Sequence, residues 1–366
     1  MRKLVIISLA LLMISGLWAE ITWSGSARLR PRIDMKDYGD FPVYDSALDD
    51  YKESQTDIYW WYRAYLDMLA DIGGGWMFKA QLSAFGPANF TKFGAGSLPH
   101  SAAYGSASRP AMLFNQLYYG YKGEQFGFFG GLVPISGINN PGMDIHFYPD
   151  MVVDIPWVLF NISAATGFTG YYDLGFAKLN GFFTFDNEVL NTVEYEVGEK
   201  AELSETKSIG LDATLMVGPA WVQPVLIKTM GEDVMWSPMT VGVNAGMKVM
   251  ENYGLSGGFF STTQDEEDGL FGKYSGTLFR IKATGPDPLG MGSFAIWYDM
   301  ATMDFDTMDY ENDLTYLWAH WNIVVYKSEQ GSVAIKPTFR FLTDEIADNY
   351  DFTRTRFEIN TEIKFK

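Results

Sequence analysis

The sequence predicts an all-β protein, a transmembrane antiparallel up-and-down β-barrel of about sixteen strands. Three observations carry this expectation. From Ile21 onward the chain falls into segments of about 10–14 residues with period-2 alternation, and no helical period is sustained. The connections between segments are alternately short and long. The composition combines 16% aromatic residues and 37 glycines with a mean hydropathy of -0.05. A barrel in a bilayer needs aromatic girdles but alternates apolar with polar, so its mean hydropathy stays near zero.

The first segment shows the rule most cleanly. Ile21, Trp23, Gly25, Ala27, Leu29, Pro31 and Ile33 share one face, and Thr22, Ser24, Ser26, Arg28, Arg30 and Arg32 share the other. Successive side chains of a strand point to opposite faces, so one wall is apolar and one cationic. In the second segment Ile58, Trp60, Tyr62, Ala64, Leu66 and Met68 oppose Tyr59, Trp61, Arg63, Tyr65 and Asp67. In the third, Trp76, Phe78, Ala80, Leu82 and Ala84 oppose Met77, Lys79, Gln81 and Ser83. Further strands are predicted near 112–122, 125–133, 158–170, 174–185, 206–217, 219–229, 238–250, 253–262, 273–284, 290–300, 314–326, 332–342 and 352–366. The pattern is weakest across 145–185.

The links then sort into two classes. Short ones fall at 71–75, 122–124, 171–173, Gly218-Pro219, 251–252, 285–289 and 327–331. Long ones fall at 34–57, 86–111, 134–157, 186–205, 230–237, 263–272, 301–313 and 343–351. Short turns on one side and longer loops on the other are the asymmetry of a bacterial barrel, and a soluble sandwich has no reason to segregate its loops this way.

The N-terminal segment bears on compartment. Arg2 and Lys3 precede an apolar run from Leu4 to Ile14, and Leu17-Trp18-Ala19 places a small residue before a cut at Ala19/Glu20. That is the layout of a secretory signal peptide. The run is about half the roughly 20 residues of a membrane-spanning helix. Residues 1–19 are therefore read as a leader and 20–366 as one barrel domain. With no cysteine there is no disulfide framework and no thiolate metal site. The net charge of -18 argues against nucleic acid as a partner, because a polyphosphate needs a basic surface.

At the other end, Thr355, Phe357, Ile359, Thr361, Ile363 and Phe365 alternate with Arg354, Arg356, Glu358, Asn360, Glu362 and Lys364. A leader, about sixteen alternating strands and an amphipathic final strand ending in an aromatic together resemble a Gram-negative general porin, at the level of architecture. Two features depart from that family: Lys366 follows the terminal aromatic, and the Pro-Glu-Phe-Gly-Gly type motif of enterobacterial third loops is absent. The resemblance implies a location in the outer membrane of a diderm bacterium, contact with lipid and lipopolysaccharide, and a homotrimer. It also implies a third external loop, here 134–157, folded into the lumen with Asp144, Asp150 and Asp154 as its acids.

Solute selectivity in a channel comes from charges lining the pore. Strand parity turns Arg28, Arg30, Arg32, Arg63, Lys79, Lys336, Arg340, Arg354 and Arg356 inward, with Lys248, Arg280 and Lys282 elsewhere on the wall. Closing a barrel sets the last strand beside the first, which gathers most of these cations into one basic wall. Some of them would pair with Asp67, Glu358 and Glu362. Trp23, Trp60, Trp76, Trp221, Trp297 and Trp321, with Phe126, Tyr253, Tyr326 and Phe365, suit interfacial girdles. The inward Tyr59, Trp61 and Tyr65 either fill the lumen or offer stacking faces to sugars. Acidic runs at Asp45–Glu53, Glu194–Glu205 and Asp265–Asp268 read as solvated loop faces, or as places where divalent cations bridge to lipopolysaccharide.

No phosphate loop, dinucleotide fingerprint or zinc spacing is present, so no cofactor, metal or catalytic residue is expected. The expected function is a porin that passes small hydrophilic solutes through a polar lumen with a basic inner wall. Two alternatives stay open: a closed-lumen barrel acting as adhesin or structural protein, and a barrel hydrolase built around His320 and Asn322.

Overall fold

The computed structural model describes residues 20–39, 43–45, 50–84, 91–92, 112–134, 164–185, 193–195, 199–201, 207–230, 237–265, 272–287, 290–306, 310–346 and 350–366. The expected leader 1–19 lies outside these residues. So do Asp144, Asp150 and Asp154, and the loop acids Asp49, Glu196, Glu202, Glu205, Glu266, Glu267 and Asp268.

Among the described residues the wall is built of sixteen strands. In chain order they are β1 (Glu20–Asp37), β2 (Ser54–Gly73), β3 (Trp76–Ala84), β4 (Met112–Lys122) and β5 (Phe126–Pro134). Next come β6 (Ala164–Asp173), β7 (Ala177–Phe185), β8 (Lys207–Val217), β9 (Ala220–Met230), β10 (Met239–Met250) and β11 (Tyr253–Gln264). The last are β12 (Tyr274–Pro286), β13 (Gly292–Phe305), β14 (Tyr310–Lys327), β15 (Gly331–Ile346) and β16 (Tyr350–Phe365). Every strand pairs antiparallel with its sequence neighbours, and β1 pairs with both β2 and β16, which closes the sheet. Closure leaves no edge strand, as a structure in hydrocarbon requires.

Alternation does the folding work because both faces have a solvent to match. On β1 the odd positions Ile21, Trp23, Leu29 and Ile33 are exposed on the outside, while Arg30, Arg32 and Asp34 are buried on the inside. On β10 Val241, Val243 and Met247 face out, and Thr240 and Asn244 face in. This inverts a soluble protein: exposed apolar side chains form the outer surface and many buried ones are charged. The short turns carry residues their geometry demands. Gly73, Gly74 and Gly75 have φ of 95°, 61° and 88°, and Gly218 before Pro219 has φ 60°, a region that side chains with a Cβ seldom adopt.

Three expectations need correction. The turn predicted at 171–173 lies at 174–176, because Tyr171 to Asp173 continue the alternation of β6 against β7. Within the predicted loops 301–313 and 343–351, β13 runs on to Phe305, β14 starts at Tyr310, β15 runs on to Ile346 and β16 starts at Tyr350. There the period-2 pattern continues past the polar residues that suggested loops: Ala301, Met303 and Phe305 point in while Asp304 points out. The alternation of short and long links therefore fails for the last strands, which lengthen instead. β1, β2, β14, β15 and β16 have 18, 20, 18, 16 and 16 residues, whereas β3, β5 and β7 have 9 each. Only about 9–11 residues are needed to cross a bilayer. The five long strands therefore reach well beyond the hydrocarbon.

The girdle at the short-turn end is partly as expected. Trp76 meets Tyr121 and Phe128 edge-on at 5.8 Å each, and Phe365 lies outside, over Gly25. Trp221 and Trp297 do not belong to it. Trp221 sits opposite Gly246 and shares its face with the buried Gln223. Trp297 shares its face with the buried Asp299 and is only 4% exposed. Both point inward, and the parity of Gln223 and Asp299 carried that information in the sequence.

Candidate functional site

The first-to-last seam brings the inward cations together. Arg28 stands opposite Glu362 on β16 and Arg63 on β2, and Arg32 stands opposite Glu358 and Tyr59. Arg340 on β15 stands opposite Arg356. Lys79 on β3 is further round the wall, where Asp67 lies 3.6 Å from its Nζ and accepts a 2.8 Å bond from Gln81.

Toward the long-loop end the cations are locked by two carboxylates. Glu358, on β16, is ion-paired to Arg32 and to Arg340 at 3.0 Å, with Arg30 Nε at 3.7 Å. Asp34, on β1, takes both prongs of Arg354 at 2.8 and 2.5 Å, Arg356 Nε at 3.2 Å and the Tyr59 hydroxyl at 2.8 Å. A planar guanidinium presents two parallel donors to a carboxylate, which fixes direction as well as charge. The side chains of Arg32 and Glu358 have no accessible surface. Asp34 lies just past Ile33, where the sequence pattern ends the first strand, and its parity with Arg32 is the signal that places it inside.

Nearer the middle of the wall the packing opens. Arg28 and Lys336 each lie 2.5 Å from Glu362, and both side chains are 20% exposed. Arg63 is intermediate in burial and its guanidinium lies over the Tyr65 ring at 4.7 Å. The wall thus has a dry tier of Arg30, Arg32, Arg340, Arg354 and Arg356, and an accessible tier of Arg28, Arg63, Lys336 and Lys79.

Aromatics continue the belt. Arg340 sits 3.7 Å over the Trp318 ring, Trp318 and Trp297 are 4.4 Å apart, and Lys282 lies 5.0 Å from Trp297. Arg32 lies over Trp61 and Tyr59 at 5.1 and 5.5 Å. Trp61 and Tyr59 therefore contact guanidinium here. His320 packs edge-on against Trp297 and Trp318.

The inner surface is not polar throughout. Toward the long-loop end Tyr274, Leu278, Phe305, Leu314, Leu342 and Phe352 form a buried apolar cluster inside the barrel. Across the lumen from the seam stands a carboxamide ladder. Asn180 and Gln223 donate to Asp212 Oδ1 at 2.8 and 3.0 Å, and Asn244 donates to Gln223 at 3.2 Å. Among the described residues no group of three or more His, Asp or Glu is placed to hold a metal ion.

A closed sixteen-strand antiparallel wall, apolar outside and charged within, is the fold of outer-membrane porins. No protein-family model matches the sequence, and no curated protein does. Solved structures do share the fold. An anion-selective porin from Comamonas acidovorans is similar with a TM-score of 0.58 and 16% identity, covering 94% of this chain and 99% of that one. The trimer form of OmpT, an outer membrane protein of Vibrio cholerae, gives 0.56 and 9% over 95% and 99%. The outer membrane channel DcaP of Acinetobacter baumannii gives 0.52 and 12% over 96% and 99%.

Proposed function

We propose that this barrel is an outer-membrane porin that passes small hydrophilic solutes by passive diffusion and performs no covalent chemistry. The observation that carries the reading is the inverted distribution of residues. Exposed Ile, Val, Phe and Trp side chains cover the outside of a closed wall, while Arg28, Arg63, Lys79 and Lys336 remain partly accessible within it. A cationic inner surface raises the local concentration of anions, so the resting preference is for anions. The Comamonas structure, described as an anion-selective porin, is in keeping with this.

The same reading puts the chain in the outer membrane of a Gram-negative bacterium, among lipid and lipopolysaccharide, after removal of residues 1–19. A homotrimer is part of the proposal, since the OmpT structure was solved as a trimer. A constriction by 134–157, with Asp144, Asp150 and Asp154 facing the basic wall, completes it.

The test is planar-bilayer recording with a salt gradient. Stepwise conductance with a reversal potential on the anion side is the expected result, and Arg28→Ala with Arg30→Ala should move that potential toward zero. Absence of any step from folded protein would overturn the channel reading. One observation favours a second reading, a closed-lumen barrel serving as adhesin or structural element: the apolar cluster around Leu278 and Phe305 inside the wall. The same recording separates the two.

A further inference from the structure

We infer that Asp344 and Asn312 form a proton-operated latch at the long-loop end of the barrel, holding the ends of β14, β15 and β16 together while Asp344 is uncharged. The latch does not depend on whether the barrel conducts.

Strand parity turns Asp344 inward, in line with Arg340 and Leu342 on β15. Its direct cross-strand neighbours are Leu314 on β14 and Phe352 on β16. Asn312, the next inward position beyond Leu314, stands opposite Met303 on β13. Leu314, Leu342, Phe352 and Met303 all belong to the apolar cluster inside the wall. Asp344 and Asn312 are thus polar side chains set into an apolar lining, and they are 0% and 1% exposed. Both carboxyl oxygens of Asp344 and both amide atoms of Asn312 are buried without a hydrogen-bond partner. Asp34, Asp299 and Glu358 are also sealed, but each of them holds a guanidinium.

The charges around Asp344 are engaged with other groups or face away. The next inward residue of β16 is Arg354, whose Nε and Nη2 donate to Asp34. Arg340 on β15 is ion-paired to Glu358. The phenols of the same lining are Tyr316 on β14 and Tyr38 just after β1, and Tyr38 donates to Gln55 at 3.1 Å. Glu311 and Asp313 on β14, Glu345 on β15, Asp351 on β16 and Asp304 on β13 are all exposed. Among the described residues none of these groups is ion-paired to Asp344.

Asp344 lies about thirteen residues beyond Gly331 at the short turn. At about 3.3 Å per residue and a tilt near 45° that is roughly 30 Å along the normal, past an apolar band of about 25 Å. Burial pushes its carboxyl up to about 7, against a smaller opposing effect of Asn312. In the neutral form the acid is a donor matched to the Asn312 carboxamide. In the ionised form a bare carboxylate stands among Leu and Phe side chains, which is costly. Hydration relieves it, and both residues sit two positions from a strand end, at Ile346 and at Tyr310. Opening those ends wets the charge and leaves the rest of the wall intact. Because the folded carboxyl titrates above its ordinary value, the closed form is fully favoured at acid pH and is lost as pH rises through about 7.

Hydrogen exchange read by mass spectrometry on the folded barrel in detergent tests the latch, with intrinsic exchange rates corrected for. Folding of each variant is checked by heat-dependent gel mobility. In wild type, protection of 310–316, 340–346 and 350–354 should fall about tenfold or more between about pH 5 and about pH 9. Protection of 240–247 on β10 should stay level. Asp344→Asn keeps the shape without the charge and should abolish the fall. Asp344→Leu should leave these ends more protected than wild type at the higher pH, because an apolar side chain suits the lining. Equal protection of wild type at both pH values, or an undiminished fall in Asp344→Asn, would overturn the latch. So would looser ends in Asp344→Leu at the higher pH, the mark of a carboxylate that supports the strands as a charge.

Discussion

Replacing Glu358 by Gln keeps the shape of the side chain and removes its charge. Glu358 is sealed from solvent and is paired with Arg32 and Arg340, with Arg30 within 3.7 Å. The variant would leave these guanidiniums packed against one another and against Arg356, which is directly opposite Arg340. Removing one partner of a buried ion pair costs about 3–5 kcal/mol, because the other charge stays buried and uncompensated. An exposed pair is worth only about 0–1 kcal/mol. The magnitude thus decides whether the seam is dry or solvated. Equilibrium unfolding in urea from lipid vesicles, followed by tryptophan fluorescence, reads the difference. A loss of at least about 3 kcal/mol is expected. The double variant Glu358→Gln, Arg32→Met should recover part of it, since an apolar replacement removes one of the stranded charges. A loss under about 1 kcal/mol would refute the claim that this tier is sealed.

Four further outcomes are expected. Arg340→Lys should cost roughly 1–2 kcal/mol, because an ammonium cannot keep both the Glu358 contact and the face of Trp318; the same unfolding titration measures it. Val243→Arg, on the outer face of β10, should cost about 2–4 kcal/mol if it lies near the bilayer midplane. The same substitution at Thr240, on the inner face, should not reproduce the lipid dependence of that loss when vesicle thickness is varied. Asp212→Leu should leave the Asn180 and Gln223 amides without their acceptor and cost about 1–3 kcal/mol, chiefly at the buried Gln223. Gly218→Val should lose roughly 1–2 kcal/mol from its positive φ alone, with proline-bearing turn geometry otherwise retained, as tested by thermal melting on gels.

Much of the fold was legible because lipid and lumen impose one rule on every residue of a strand. Arg28, Arg30 and Arg32 against Ile21, Trp23 and Leu29 are enough to orient β1. What escaped has physical causes. Residue type alone suits Trp221 and Trp297 to a girdle, but the parity of Gln223 and Asp299 sets them inside. The upper parts of β13 to β16 resemble loops in sequence because Asp304, Asp313 and Asp344 look like turn residues, yet on a wall standing in water a polar side chain is no obstacle to a strand. The gathering of cations was visible from parity plus closure. The partners were only half visible: Glu358 and Glu362 share the parity of the arginines, but Asp34 was hidden by a strand cut short. No sequence pattern could grade the cations into sealed and accessible, because that depends on how side chains from four strands fill one space.

The length of the strands around the seam has a consequence of its own. At about 3.3 Å per residue and a tilt near 45°, strands of 16–20 residues stand roughly 37–47 Å along the membrane normal, well beyond an apolar band of about 25 Å. An antibody, phage or protease arriving from the medium meets the arc of β14 to β2 as a standing palisade of rigid strand.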